Sequence, residues 1–488
     1  MTISFGSIPA SLRTPGNYLE FDSSKAVSGL PPAPNKVLLI GQRIAAGTVA
    51  ELVPTRIVSA DQAVQAFGRG SMLAGMARAF KKADAITECW AVALDDNAAG
   101  TAATKTITVS GPSTAAGTIA LMVAGQSFAV PVASGASANT VATAIAAAIT
   151  GGLDLPCTAA AASAVVTVTA RNKGTAGNDI DVRHSYYQGE ALPAGIGLAI
   201  ADGVAGATNP DVASVFAAIG DAHYPTIAIG FGDAGTLTKV ETELADRWGP
   251  LRMIEGVAYV GSRGSQGTLA ALGAARNSAF VSIIGANKAP NPTWEWAASY
   301  AGIVGFNGSI DPARPFQTLE LPGLLPPAQA DRFGRAEREL LLKDGISTFT
   351  VDAGGKVLLE RPITTYQTNA QGLDDIAFLD VNTVLTLGYL RLAVRSRISL
   401  KYPRHKLADD GAVYGAGQAI VTPKLLRSEL IALFRELEDA GLVENLDQFA
   451  ADLIVQRSAS DPSRVDALIP PNIVNQFRVF AGRVEFRL

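Results

Sequence analysis

The sequence predicts a multi-domain α/β protein. It has a mainly parallel sheet with helices on both faces, an inserted β-rich (α+β) domain, an α+β C-terminal domain and extended terminal arms. Three observations predict this. Short apolar runs bounded by glycine alternate with helical patterns of roughly 10–15 residues, the rhythm of right-handed βαβ crossovers. Between positions 98 and 209 that rhythm stops, and the chain becomes rich in Ala, Thr, Gly and Ser. Both ends, residues 1–34 and 475–488, lack a helical period yet keep apolar side chains.

The elements follow in order. Residues 1–34 read as an arm punctuated by Pro9, Pro15, Pro31, Pro32 and Pro34. "KVLLIG" (36–41) is a buried parallel strand, since strands covered on both faces read as unbroken apolar runs. "SADQAVQAFG" is a short helix between a Ser59 N-cap and a Gly68 stop. "GSMLAGMARAFKKAD" is a second helix and "ECWAVAL" a second buried strand. Residues 35–97 and 210–342 form the two parts of a split α/β core around the insertion 98–209. Within the insertion, "TKTITVSG", "GTIALMVAG", "QSFAVPVA" and "SAVVTVTA" are strands and "SANTVATAIAAAIT" a helix. After Pro210 the strands "TIAIGF", "RMIEGVAYV" and "FVSIIGA" alternate with helices, ending in "TWEWAASYAGIVGF". A C-terminal domain, 343–474, opens with a helix and a hairpin around Asp352-Ala-Gly-Gly. It continues with the long helix "DVNTVLTLGYLRLAVRSRI", the helix "TPKLLRSELIALFRELEDAG" capped near Thr422, and a strand in "QFAADLIVQRSAS". In the terminal "NQFRVFAGRVEFRL", Phe477 and Val479 alternate with polar residues; the phase flips at Ala481-Gly482, and Val484, Phe486 and Leu488 alternate again. That pattern reads as two half-strands joined by a bulge or turn, the first free to pair within its own subunit and the second to reach a neighbour; pairing within or between subunits stays open.

Composition limits the function. At 488 residues, roughly three domains are expected. Hydrophobic residues make up 48% and charged residues only 17%, against about 25% in an ordinary soluble chain. Such a surface is expected to be covered by other subunits. A net charge of −4 leaves no global footprint for nucleic acid. The apolar helical segment "TVATAIAAAIT" falls short of the ~20 residues of a membrane span, and the first residues lack the pattern of a secretory signal. Cys89 and Cys157, far apart, read as reduced buried thiols.

A search for chemistry finds little. "VGSRGSQG" precedes a helix and would suit an anion, but it matches neither the Walker nor the GxGxxG spacing. "YGAGQAI" and "AGGKV" fail the same tests and read as tight turns. His184, His223 and His405 lie in separate segments without HxxxH or HExxH spacing, and no serine sits in a GxSxG elbow. "QGLDDIAFLD" lacks the alternating ligands of a calcium loop, and Trp294 and Trp296 read as packing residues. No catalytic, metal or cofactor-binding residue is expected.

From "LLKDGISTFTVDAGGKVLLERPITTYQTN" through the Asp-rich turn, the Arg-bearing helix and "YPRHKLADDG", the chain resembles the tail sheath proteins of contractile bacteriophages, in particular the Mu-like branch. "AFGRGSMLAGMARAF" is similar to the family's early helix pair, "TPGNYLEFD" to its N-terminal arm, and "ARNKGTAGNDIDVR" to the decoration module of that branch. The resemblance implies a structural subunit of the virion, assembled in the host cytoplasm as a helical homo-oligomer around an inner tail tube. Baseplate and tail terminator proteins are the further partners. Contraction would then drive the tube through the host envelope for genome delivery, as in other contractile injection systems. It also implies strand pairing between subunits through Tyr18, Leu19, Phe21, Phe477, Val479, Val484, Phe486 and Leu488. No nucleic acid, membrane insertion or cofactor is implied. Apart from the resemblance, an α/β hydrolase-like or nucleotide-binding enzyme with an inserted domain is the competing expectation, and a secreted adhesin the third.

Overall fold

The computed structural model describes residues 11–19, 29–411, 414–415 and 417–487. It resolves into two compact units: Pro34–Val384, and Leu385 onward together with the described residues before Pro34.

The first unit starts with β1 (Lys36–Gln42), β2 (Thr55–Ile57), α1 (Ala60–Phe67), α2 (Met72–Ala83) and β3 (Glu88–Leu94). Ser59 and Ser71 cap the two helices, their hydroxyls accepting from Gln62 N and Ala74 N and satisfying donors that lack an intrahelical partner. The inserted domain follows as β4 (Ala102–Ser110), β5 (Gly117–Val123), β6 (Gln126–Val132), α3 (Ala138–Gly151), β7 (Cys157–Ala162), β8 (Val165–Lys173), β9 (Val182–His184) and β10 (Gly197–Asp202). The α/β rhythm then resumes with α4 (Ala213–Ile219), β11 (Thr226–Ile229), α5 (Ala234–Trp248), β12 (Val257–Ser262), α6 (Gln266–Ala274), β13 (Val281–Gly285), α7 (Thr293–Ile310) and α8 (Arg335–Lys343). A hairpin, β14 (Ile346–Val351) and β15 (Val357–Arg361), completes the unit's sheet.

Among the described residues the large sheet runs in the order β15-β14-β13-β12-β11-β1-β3-β2, parallel except for the antiparallel pairs at its two ends. Its middle strands are buried on both faces, with Val37, Leu38, Leu39 and Ile40 at 0% exposure, as their unbroken apolar runs require. Helices α2 and α7 pack on each other and on β1, while α5 and α6 accompany strands laid down in the opposite direction. Right-handed crossovers put α2 on one face and α5 and α6 on the other, and α7 joins the α2 face by packing on that helix. The outer edge of β15 is covered by the segment 318–321, where Thr318 N and Leu321 N donate to Leu359 O and Val357 O. The inserted domain stacks a four-stranded antiparallel sheet, β10-β4-β8-β7, and a three-stranded one, β6-β5-β9, around α3.

One boundary differs from the sequence reading. The hairpin β14–β15, placed in the C-terminal domain 343–474, belongs to the central sheet, where Ile346 and Ser347 pair in parallel with Ile283 and Ile284 of β13. The compact units divide later, at Val384. A hairpin's local pattern specifies its own two strands but not the sheet that adopts it.

The second unit contains most of α9 (Val381–Lys401), then β16 (Lys406–Leu407), β17 (Ile420–Val421), α10 (Pro423–Asp439), α11 (Leu446–Asp452), β18 (Ile454–Arg457) and β19 (Val465–Leu468). The stretch read as one strand, "QFAADLIVQRSAS", is therefore half helix: α11 ends at Asp452 before β18 begins. Phe449 explains the helical half, because its ring stacks on Phe434 of α10 at 3.7 Å and needs a helical residue to aim it there.

Candidate assembly interface

A doubly wound sheet offers a ligand crevice at the carboxyl ends of its strands, where the order reverses. Here the reversal lies between β1 and β11. The crevice is taken by polar side chains of the inserted domain, including Asn172, whose amide nitrogen donates to Asp96 Oδ1 at 2.9 Å. Arg263 of the Gly-rich turn "VGSRGSQG" donates to Asp181 Oδ1 at 2.7 Å, so the one basic side chain of that turn is committed to the fold. The three histidines stay apart: His184 sits at the end of β9, the His223 ring meets the Glu255 carbonyl, and the His405 ring packs on Tyr402. Trp294 and Trp296 are both buried.

The C-terminal segment is the other unusual feature. Ile473 forms an antiparallel bridge with Val443, and Val474 N donates to Leu442 O at 3.1 Å. From there to residue 487 no strand forms among the described residues. Phe477–Ala481 therefore lies in no strand of its own subunit among the described residues: an alternating pattern gives a segment strand character without supplying an edge. Phe477 is 72% exposed, Val484 88% and Phe486 80%, with Val479 and Phe480 similarly bare. So many large apolar side chains along one short segment are unusual on the surface of a monomeric protein.

Just before the segment, β18 and β19 form a two-stranded antiparallel sheet, from Ile454 opposite Leu468 to Arg457 opposite Val465. Among the described residues neither strand is paired to a third. An isolated hairpin is marginal in water and its edges are templates for further strands. Ile454 and Leu468 are more than half exposed. Around the same part of the unit, α9, α10, α11 and the chain leaving β19 enclose an apolar groove of about 280 Å³, with Leu390, Val394, Leu433 and Ile469 in its walls.

A charged cluster fixes α9 against α10. Arg397, 7% exposed, donates to Glu429 Oε1 at 2.9 Å and to Glu436 Oε2, and Lys401 Nζ donates to Glu429 Oε1 at 2.7 Å. Burial raises the Glu429 carboxyl, but the hydrogen bonds of Lys401 and Arg397 outweigh it and hold the group below its ordinary range.

At the other end of the chain, Tyr18 and Leu19 are exposed, with the Tyr18 hydroxyl donating to Thr14 O at 3.2 Å. Phe21 and Leu488, named for strand pairing, lie outside the described residues. Among the described residues, none of the named arm residues lies in a strand. The polar filling of the crevice and the Arg397 cluster are not anticipated from the sequence. The signal for the first was the Asn-, Asp- and Gly-rich stretch 171–181 between strands, and for the second the arginines within an otherwise apolar helix.

Comparison with known proteins bears on this arrangement. Residues 98–197 match the phage tail sheath protein beta-sandwich domain, 205–365 the central domain and 374–487 the C-terminal domain. The Mu-like prophage FluMu tail sheath protein of Haemophilus influenzae is 44% identical over 488 residues, covering 100% of both chains. Among solved structures, the sheath tail protein of Desulfitobacterium hafniense aligns with a TM-score of 0.48 at 16% identity, covering 94% of this chain and 100% of that one. The contracted helical sheath of the anti-feeding prophage aligns at 0.47 and 12% identity, covering 98% of this chain and 99% of that one. With full-length identity of this size and three matched domains in order, the chain belongs to the phage tail sheath protein family.

Proposed function

We propose that this chain is the repeating structural subunit of a contractile tail sheath. Copies polymerise as a helical tube around an inner tail tube and then contract, driving it through the host envelope for genome delivery. An interface that does not close on itself generates such a filament. Baseplate and tail terminator proteins would bound the tube at its ends, and assembly would take place in the host cytoplasm.

The observation that carries the reading is the exposed apolar segment next to an open hairpin. An extended arm adding to a sheet edge gains main-chain hydrogen bonds, with alternate side chains filling the face. In this reading Phe477, Val479, Val484, Phe486 and Leu488 of one copy, with Tyr18, Leu19 and Phe21 of another, extend the β18–β19 sheet of a neighbour. Each such hydrogen bond contributes about 1 kcal/mol net, so a single arm is weak and the lattice gains strength by repetition. Contraction is then a rigid-body rotation of folded units with the arms as hinges. Its free energy is the difference between two packings of the same copies.

Electron microscopy of the purified protein at high concentration tests this, with striated tubes expected. Compact particles only would overturn it. Deleting Asn475–Leu488 is expected to leave a folded subunit that forms no tubes, and unchanged tubes would refute the arm assignment.

A further inference from the structure

The inserted domain fills its own host's crevice, and it does so with side chains rather than by loose contact. Asn172 Oδ1 accepts from Met72 N at 3.2 Å, at the first residue of α2, while its Nδ2 donates to Arg43 O at 2.8 Å. Asp96, at the carboxyl end of β3, accepts from Lys173 N at 3.0 Å and from Gln42 Nε2 at 2.7 Å. Gln42, the last residue of β1, is fully buried and also meets Lys173 O at 2.7 Å. Asp179 Oδ2 accepts from the Thr293 hydroxyl at 2.7 Å, at the first residue of α7, whose N-cap Pro292 has no side-chain acceptor of its own. Arg263, beyond β12, donates to Asp179 O at 2.7 Å. Asn209, on the return segment of the linker, donates at 2.5 Å to Oδ2 of Asp233, the N-cap of α5.

Contacts away from the crevice agree. Asp154 of the insertion pairs with Arg69 at 2.9 Å and Arg78 at 3.0 Å. The Tyr186 hydroxyl donates to Pro326 O at 2.8 Å. The backbones also approach closely: a Cβ on Gly70 (φ +81°) would lie 2.5 Å from Leu155 O, and one on Gly125 (φ +76°) 2.8 Å from Asn291 Nδ2. Two independently stable domains joined by a linker share polar, replaceable interfaces; here three helices of the host start on side chains of, or next to, the guest.

We infer that the inserted domain is a structural ligand of the sheet that interrupts it: the α/β core keeps its native packing only while residues 171–181 and Asn209 are folded against its strand ends. The insertion is therefore a keystone, not a removable ornament. This holds for the isolated subunit and does not depend on tube formation.

The chain carries its own reporters. Its four tryptophans, Trp90, Trp248, Trp294 and Trp296, all lie outside 98–209, whereas of its two cysteines Cys157 lies inside and Cys89 outside. Both thiols are buried. Tryptophan fluorescence and Cys89 labelling thus follow the core, and Cys157 labelling follows the insertion. Ile145 is fully buried on α3, a helix whose main packing partners, β4, β6, β7 and β8, all belong to the insertion. In the full-length chain, Ile145→Ala is expected to lower the urea midpoint of all three signals together, by about 1 M. Labelling of Cys157 at lower urea, with tryptophan fluorescence and Cys89 holding the parent midpoint, would overturn the inference. If Ile145→Ala is insoluble, Ile145→Val is read by the same criterion with a smaller shift. The double variant Asn172→Ala/Asn209→Ala supplies the converse test. It should lower the tryptophan midpoint although every substituted residue lies in the insertion, and an unmoved tryptophan midpoint would also sink the idea.

Discussion

Truncating Phe486 to alanine separates folding from assembly. In the free chain Phe486 is 80% exposed, so the substitution removes no packing there and the subunit's thermal midpoint is expected to stay where it was. A phenylalanine side chain offers about 200 Å², of which that exposure leaves about 160 Å² available to a neighbour. At about 25 cal/mol per Å² complete burial stabilises by about 4 kcal/mol, and the methyl group of alanine, imperfect coverage and the ordering of the ring reduce the difference to about 2 kcal/mol. In a helical polymer the critical concentration follows the dissociation constant for adding one copy. With 1.4 kcal/mol per factor of ten, Phe486→Ala should raise it about 30-fold. The assay is pelleting of tubes across a concentration series, with striation checked by electron microscopy. An unchanged critical concentration would refute the role of this side chain. A lowered thermal midpoint of the dilute subunit would instead show that the ring is buried within its own chain.

Other outcomes follow from the same geometry. Arg397→Ala leaves the carboxylates of Glu429 and Glu436 without their shared cation in a site where Arg397 is 7% exposed; a loss of about 3–5 kcal/mol is expected in chemical denaturation, and a loss below about 1 kcal/mol would contradict it. Because Glu429 is held below the ordinary carboxylate range, its contribution is present above its unfolded pKa of about 4.3 and fades as pH falls through the folded value. Thermal melts should therefore show an acid limb that Glu429→Gln flattens, and an identical limb in the variant would refute the assignment. Burial pushes both Cys89 and Cys157 up to about 12, so alkylation at pH 8 should be negligible until denaturant is added, as mass spectrometry would show. Ser71→Ala, which removes the acceptor for Ala74 N at the start of α2, should cost about 1 kcal/mol in the same denaturation assay.

What could be read from the residues depended on whether the information was local. The strands β1, β3, β11, β12 and β13 declare themselves because a parallel strand covered on both faces must be apolar at every position, and Ser59, Ser71 and Thr422 announce helix starts by their own chemistry. Pairing partners are not local. The turn between β14 and β15 was legible, but their attachment to β13 rests on Ile346 and Ser347 meeting residues more than sixty positions earlier. The same holds for Asn172, Asp179 and Asn209, whose partners at Met72, Thr293 and Asp233 come from three other segments. In the arm, alternation singled out Phe477, Val479, Val484 and Phe486, and all four are exposed in the folded chain. Phe480 breaks the alternation, yet it is as bare as the others.

The bare segment also sets a clock on the unassembled molecule. From the moment it leaves the ribosome, each copy carries five large apolar side chains between Phe477 and Phe486 in water. In the proposed reading, a collision between copies is either a step toward the tube or a wrong attachment, and the ratio depends on how fast correct ends are supplied. Excluded salts such as sulfate, which strengthen burial, should hasten both outcomes, whereas modest urea should lengthen the useful life of the free subunit. A stock solution of this protein is thus best regarded as a reaction already under way, with its concentration and salt setting the rate.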